Sequence, residues 1–173
     1  KGNMMNSEKL KAIQNPIKER FKNSPERALI KLRAEAEGLE GVSCRVNTYK
    51  GEVEAGLHPA TGGSGQLACS GDMLLESLVA CAGVTLQAVA TAFGANLSKA
   101  KISAEGALDF RGTLGVSQEI PVGFKEISLT FDIAGDVSDD ILTKIIQITE
   151  KYCVVLQTLR SSPEIETSLN ISE

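Results

Sequence analysis

The stretch Ser77-Leu78-Val79-Ala80-Cys81-Ala82-Gly83-Val84-Thr85-Leu86-Gln87-Ala88-Val89-Ala90-Thr91-Ala92-Phe93-Gly94-Ala95-Asn96-Leu97 carries no charge over 21 residues. A helix rising about 1.5 Å per residue would cross a bilayer over that length. Its composition argues against a span. Ala, Gly, Ser and Thr dilute it, Gln87 and Asn96 interrupt it, and no Trp or Tyr anchors flank it. The stretch reads instead as the core of a central helix from Asp72 to Ala92, closed near Gly94 and buried on most sides. Such a helix is apolar on too many faces for one subunit's sheet to cover. The expectation is therefore an obligate dimer, whose interface commonly exceeds about 2,000 Å².

Upstream of this helix the period changes to two. Ile30, Leu32, Ala34 and Ala36 alternate with charged residues, Gly38 to Gly41 turns, and Val42, Cys44 and Val46 alternate again. A second turn at Lys50-Gly51 leads into a strand over 52–57, completing an antiparallel meander. His58 to Gly71 is a glycine-rich loop. Downstream, Ile102 to Phe110 and Ile127 to Ile133 read as strands around an excursion over 112–124. Ser138-Asp139-Asp140 opens a second helix, its acids suiting the positive end of the dipole. That helix breaks near Cys153, and Ile165, Thr167, Leu169 and Ile171 alternate as a closing strand. Strands grouped as hairpins, with helices between the groups, predict an α+β fold of antiparallel strands. Residues 1–27 read as a polar helical extension interrupted at Pro16, and 28–173 as the domain proper. At 173 residues the chain suits one domain, burying about 70% of its unfolded surface without disulfide staples.

The charge balance removes whole classes of function. The net charge of −4 and the lack of a basic cluster interleaved with aromatics exclude a nucleic-acid partner. No membrane partner is expected once the uncharged stretch is read as a core helix. Cys44, Cys69, Cys81 and Cys153 form no CxxC pair, and with His58 as the single histidine a metal site has no ligand set. No hydrolytic triad and no G-x-G-x-x-G or phosphate-binding loop is present. So few cysteines point to a reducing, cytoplasmic setting. The thiols remain. Cys81 lies mid-helix among small residues that leave room for another group, and Cys153 lies at a helix break. Buried free cysteines are usually inert, and spacing alone does not pair these two.

The segment His58-Pro59-Ala60-Thr61-Gly62-Gly63, followed by Asp72-Met73-Leu74-Leu75-Glu76-Ser77-Leu78-Val79-Ala80-Cys81, resembles the OsmC/Ohr family. Members carry a "P..GG" loop and then "P-x-E-L-L-x-A-A-L-x-A-C" on the central helix. Cys153-Val154-Val155-Leu156-Gln157-Thr158-Leu159 is similar to the family's "C-P-V-S-x-x-L", so the resemblance spans about 28 to 173. It implies an intertwined homodimer with paired central helices and thiol sites at the interface. It also implies reduction of organic hydroperoxides, without a bound cofactor. Cys81 takes an oxygen as sulfenic acid, Cys153 closes a disulfide, and an external dithiol of lipoyl type restores both.

The chain departs from the family pattern in four places. Leu39 falls where the Ohr branch has its catalytic Arg in a "G-R-x-G" turn. Asp72, or Gly71 in the Ohr register, stands where members have Glu. Val154 replaces the Pro after the second cysteine, and Ser70-Gly71 replaces the Pro-bearing opening of the helix. Arg45 and Arg33 are the candidate substitutes for the missing guanidinium, although strand arginines are more often simply solvated. Without a cation, a Cys81 buried among apolar groups is expected to have a raised pKa and slow turnover. A redox-sensing or ligand-binding member without efficient turnover is the alternative, and an inert scaffold is the third reading. His58 is expected to shape its loop, and Cys44 and Cys69 match no family position.

Overall fold

A computed structural model describes residues 5–171; residues 1–4 of the extension and 172–173 of the domain lie outside the described residues. The N-terminal helix α1 runs over Ser7–Asn23, capped by Asn6, whose side chain accepts the Lys9 N–H at 2.9 Å. It passes through Pro16 without the expected interruption. A mid-helix proline removes one hydrogen bond, and the bonds on either side of it hold the helix together.

Three strands follow as the predicted meander: β1 (Glu35–Gly38), β2 (Ser43–Thr48) and β3 (Gly51–Gly56), antiparallel in the order β1-β2-β3. The first strand is shorter than its alternation implies. Its pairing begins at Glu35↔Asn47 because β2 ends one residue later in the turn at Tyr49-Lys50. Ile30 and Leu32 thus have no strand to pair with and stay exposed. Ala55 is the one buried residue of this sheet among the described residues.

The long helix α2 spans Ser70–Phe93 and stops at Gly94, where φ is +70°. Only glycine takes that conformation without strain, and the Ala95 N–H reaches back to the Ala90 carbonyl at 2.9 Å to close the end. Leu78, Ala82, Leu86 and Ala90, four residues apart, form its buried line. The expectation of burial on most sides fails within the single chain. Val84 is 73% exposed and Leu74 and Phe93 are also open to solvent, because the β1–β3 sheet does not cover that face. By length and composition α2 passes for a membrane span; in this fold its buried line packs against the second sheet and the later helices.

That second sheet pairs β4 (Leu97–Leu108) with β5 (Phe124–Gly135), antiparallel with a bulge near each end. Phe110, expected in the strand, opens the one-turn helix α3 (Phe110–Thr113), because Asp109 caps it by accepting the Arg111 N–H. Helix α4 (Asp139–Tyr152) starts after Ser138 as expected, and α5 (Val154–Arg160) follows at once. The predicted closing strand does not form. Residues 161–171 have no regular structure, and Ile165, Leu169 and Ile171 are about as exposed as Leu32. An alternating segment becomes a strand only against an open edge, and among the described residues this one pairs with neither sheet.

The fold is thus mixed α+β with antiparallel strands, and its core lies between α2, the inner face of β4–β5, and α4–α5. One apolar cluster joins Leu78, Ala82, Cys153 and Leu156; another joins Leu86, Ala90 and Ile145.

Candidate functional site

The site begins with the break between α4 and α5. Cys153 closes α4 by donating its N–H to the Thr149 carbonyl at 2.9 Å, and its own carbonyl accepts the Gln157 N–H at 2.9 Å to start α5. One extended residue, with ψ of 105°, makes both caps. The amides at the start of α5 consequently have no partner from the preceding turn. They meet Cys81, which lies half-buried on α2 beside the buried line, with its carbonyl accepting from Thr85 Oγ1 at 2.8 Å.

The two thiols, 72 residues apart in sequence, are brought together in the core: Cys81 packs against the cluster that holds Cys153, and each sulfur shifts the titration of the other. Both are free thiols, and Cys153 is fully buried. Burial pushes the Cys81 thiol up. The polar surroundings supplied by the Val155 backbone, the Cys153 thiol and the Val154 backbone, with a smaller effect of Thr85, favour the thiolate, outweigh burial and hold Cys81 below the ordinary cysteine value. Burial acts in the direction expected from sequence, and the polar groups at the start of α5 act against it. Amide dipoles do what a guanidinium was expected to do. Cys153 is raised, first by burial and then by donating to the Cys81 sulfur, although the Leu156 backbone pulls the other way. Between the two shifts lies a pH range in which Cys81 is a thiolate and Cys153 a thiol.

The other predicted site residues are not brought to this pair. Arg45 lies on β2 and is held by Glu54 at 3.1 Å and Glu52 at 3.4 Å across the hairpin, which raises its pKa. Arg33 is exposed outside any regular element and makes no ion pair among the described residues. Asp72 is exposed in the first turn of α2. Nine residues separate it from Cys81, roughly 13 Å and half a turn round the helix. Leu39 lies in the β1–β2 turn, where its N–H donates to the Ser43 carbonyl.

His58 shapes its loop as expected. Its Nδ1 accepts the Ala60 N–H at 3.1 Å, its carbonyl accepts from Thr61 and Gly63, and its ring stacks on Phe110 at 5.0 Å. Gly63 is required there, since a Cβ would collide with the Leu57 carbonyl. Cys44 lies on β2 opposite Ala55, and Cys69 precedes α2; neither reaches the thiol pair. Among the described residues no three His, Cys, Asp or Glu side chains converge to hold a metal. A cavity of about 360 Å³ between β5 and α5 shares Leu78 and Leu156 with the cluster around Cys153, but neither cysteine lines it.

What sequence reasoning missed are the two backbone donors, Val154 and Val155. The signal was present. A valine in place of the family's proline after Cys153 restores an N–H at the first position of α5.

Comparison with known proteins agrees with this fold. A family described as OsmC-like protein matches residues 63–168. The chain is similar in structure to an OsmC-like protein from Mycoplasma pneumoniae, with a TM-score of 0.65 and 20% identity, covering 77% of this chain and 89% of that one. An organic hydroperoxide resistance protein from Elizabethkingia anophelis gives 0.62 at 19% identity, covering 78% and 91%. The organic hydroperoxide resistance protein OhrB of Bacillus subtilis gives 0.53 at 17% identity, covering 77% and 93%. None of the curated proteins matches the chain.

Proposed function

The chain belongs to the family of OsmC-like proteins, and from that membership we propose that it reduces organic hydroperoxides through a two-cysteine cycle, with Cys81 peroxidatic and Cys153 resolving. The observation that carries this reading is the thiol–thiol contact in which Cys81 is lowered and Cys153 raised. The Cys81 thiolate attacks the terminal oxygen of the hydroperoxide, so that an S–O bond forms and the O–O bond breaks. The departing alkoxide takes the proton of the adjacent Cys153 thiol and leaves as the alcohol. Cys153, now a thiolate, attacks the Cys81 sulfenic acid; the S–S bond forms, the S–O bond breaks, and hydroxide leaves, taking a proton from solvent to become water. An external dithiol of lipoyl type, itself oxidised, returns both thiols. Cytoplasmic residence suits that reductant, and a homodimer formed through the open face of α2 encloses the site.

The test is peroxide consumption with cumene hydroperoxide, using dithiothreitol and dihydrolipoamide as reductants. Turnover is expected with both, none in Cys81→Ser, and a single oxidation event in Cys153→Ser. Turnover surviving in Cys81→Ser removes the reading.

One observation favours the alternative of a redox-sensing or ligand-binding member without efficient turnover. Arg45 is engaged by two glutamates and Arg33 is exposed outside any regular element, so neither candidate guanidinium is held at the thiols to meet the alkoxide. Loss of such a donor costs about 10²–10³ in rate. On that reading the same assay gives stoichiometric oxidation of Cys81 and Cys153, with no sustained consumption under either dithiol.

A further inference from the structure

Helix α1 lies outside the residues matched by the family, and nothing in the thiol chemistry uses it. Its sequence, Ser7-Glu8-Lys9-Leu10-Lys11-Ala12-Ile13-Gln14-Asn15-Pro16-Ile17-Lys18-Glu19-Arg20-Phe21-Lys22-Asn23, holds five of the chain's 18 basic residues and two of its 22 acidic ones. Advancing roughly 100° per residue, Leu10, Ile13, Ile17 and Phe21 fall within one sector about 80° wide. Lys11, Lys18 and Lys22 border that sector on one side, with Lys9 and Arg20 on the other. Glu8 and Glu19 lie opposite it, on the far pole of the helix. Within the chain this apolar sector is covered only in part: Leu10 and Phe21 are half-buried, whereas Ile13 and Ile17 are 54% and 38% exposed and no residue of α1 is buried. The helix meets the body at the far end of α2, where Ser7 Oγ donates to the Ala92 carbonyl at 3.3 Å.

We propose that α1 is a docking helix that seats the protein on an anionic lipid surface, with its axis in the plane of the headgroups. Ile13 and Ile17 enter the acyl boundary, together with the open sides of the half-buried Leu10 and Phe21. The bordering lysines and Arg20 lie at phosphate level, where their aliphatic stems remain in contact with the apolar sector. The Arg20 guanidinium already stands over the Phe21 ring, 5.4 Å from its centroid. The two glutamates face water, as far from the phosphates as the helix allows. This placement selects a membrane over a protein partner, because an acidic protein groove would not require cations on both borders of an apolar stripe. The inference stands on α1 alone and holds whatever the thiols do.

The full chain is tested by flotation with phosphatidylcholine vesicles, with and without phosphatidylglycerol, at low and high salt. Flotation is expected with the anionic vesicles at low salt and is weakened by high salt. Each basic residue near such a surface strengthens binding about fivefold, so Lys18→Glu with Lys22→Glu lowers it further than neutralisation would. Ile13→Glu with Ile17→Glu weakens it by more than about tenfold per residue. Circular dichroism confirms that each variant, altered only at exposed positions, remains folded. Failure of the folded chain to float with anionic vesicles at low salt overturns the proposal. So does an Ile13→Glu/Ile17→Glu variant that floats undiminished but changes oligomeric state, which would assign the stripe to a second copy.

Discussion

Val154 stands at the first position of α5, directly after Cys153, and its backbone N–H is one of the groups that lower the Cys81 pKa. The family's usual proline at this place has no N–H to offer. Because proline is well tolerated at the first turn of a helix, and the Val154 side chain is exposed, Val154→Pro removes the donor while leaving the fold in place. Alkylation of Cys81 by iodoacetamide follows the thiolate, so its rate rises as pH rises through the Cys81 pKa. In the native chain the rise is expected below the ordinary cysteine range. In Val154→Pro it shifts upward, and in Cys153→Ala, which removes the thiol donor, it shifts in the same direction. Profiles that superimpose on the native one would show that burial alone governs this thiol. His58 and Gly63 were legible from sequence because their work is done within a few residues. The amide donors to Cys81 were not, because they come from across the core.

On the buried face of α4, Ile145, Thr149 and Cys153 follow at four-residue spacing, and all three are fully buried. The Thr149 carbonyl accepts the Cys153 N–H, but its hydroxyl has no hydrogen-bond partner. An unpaired buried hydroxyl costs about 1–3 kcal/mol. Replacing it by a methyl of similar shape removes that cost, so Thr149→Val is expected to raise unfolding stability by about 1 kcal/mol in urea titration. Thr149→Ser keeps the hydroxyl and loses the methyl packing, and is expected to destabilise. A destabilised Thr149→Val would mean that the hydroxyl holds a hydrogen bond through a buried water. The limits of α2 and α4 were readable in advance because helices begin and end on local signals: Ser138 with two aspartates at one start, Gly94 at the other stop.

At the scale of the whole molecule, two surfaces are left without cover. The β1–β3 sheet buries only Ala55 among its described residues, although a three-stranded sheet needs a packed face to be stable. The uncharged side of α2 presents Ser77, Ala80, Val84 and Gln87 to solvent. A second copy supplying the missing layer satisfies both, and the proposed homodimer rests on this. Val84→Glu adds one charge at the centre of that face without touching the buried line. Light scattering is expected to find a dimer for the native chain at micromolar concentration and a monomer for Val84→Glu. A native chain that scatters as a monomer rejects the dimer outright.

What the sequence by itself determined is local in origin: the period-two hairpins, the span and stops of α2, the start of α4 and its break at Cys153. Each depends on contacts within about one helical turn or one hairpin, whose closure costs little entropy. The resemblance carried by the motifs around Cys81 and Cys153 added the family and the expected pairing of thiols. Tertiary structure alone decided the rest. It set the start of α5 against Cys81, where the Val154 and Val155 backbone favours the thiolate against the effect of burial. It left Arg45 on its glutamates and Asp72 half a turn away from the thiols. It also withheld the closing strand over Ile165 to Ile171, because alternation supplies a strand with faces, whereas only a neighbouring chain segment supplies an edge.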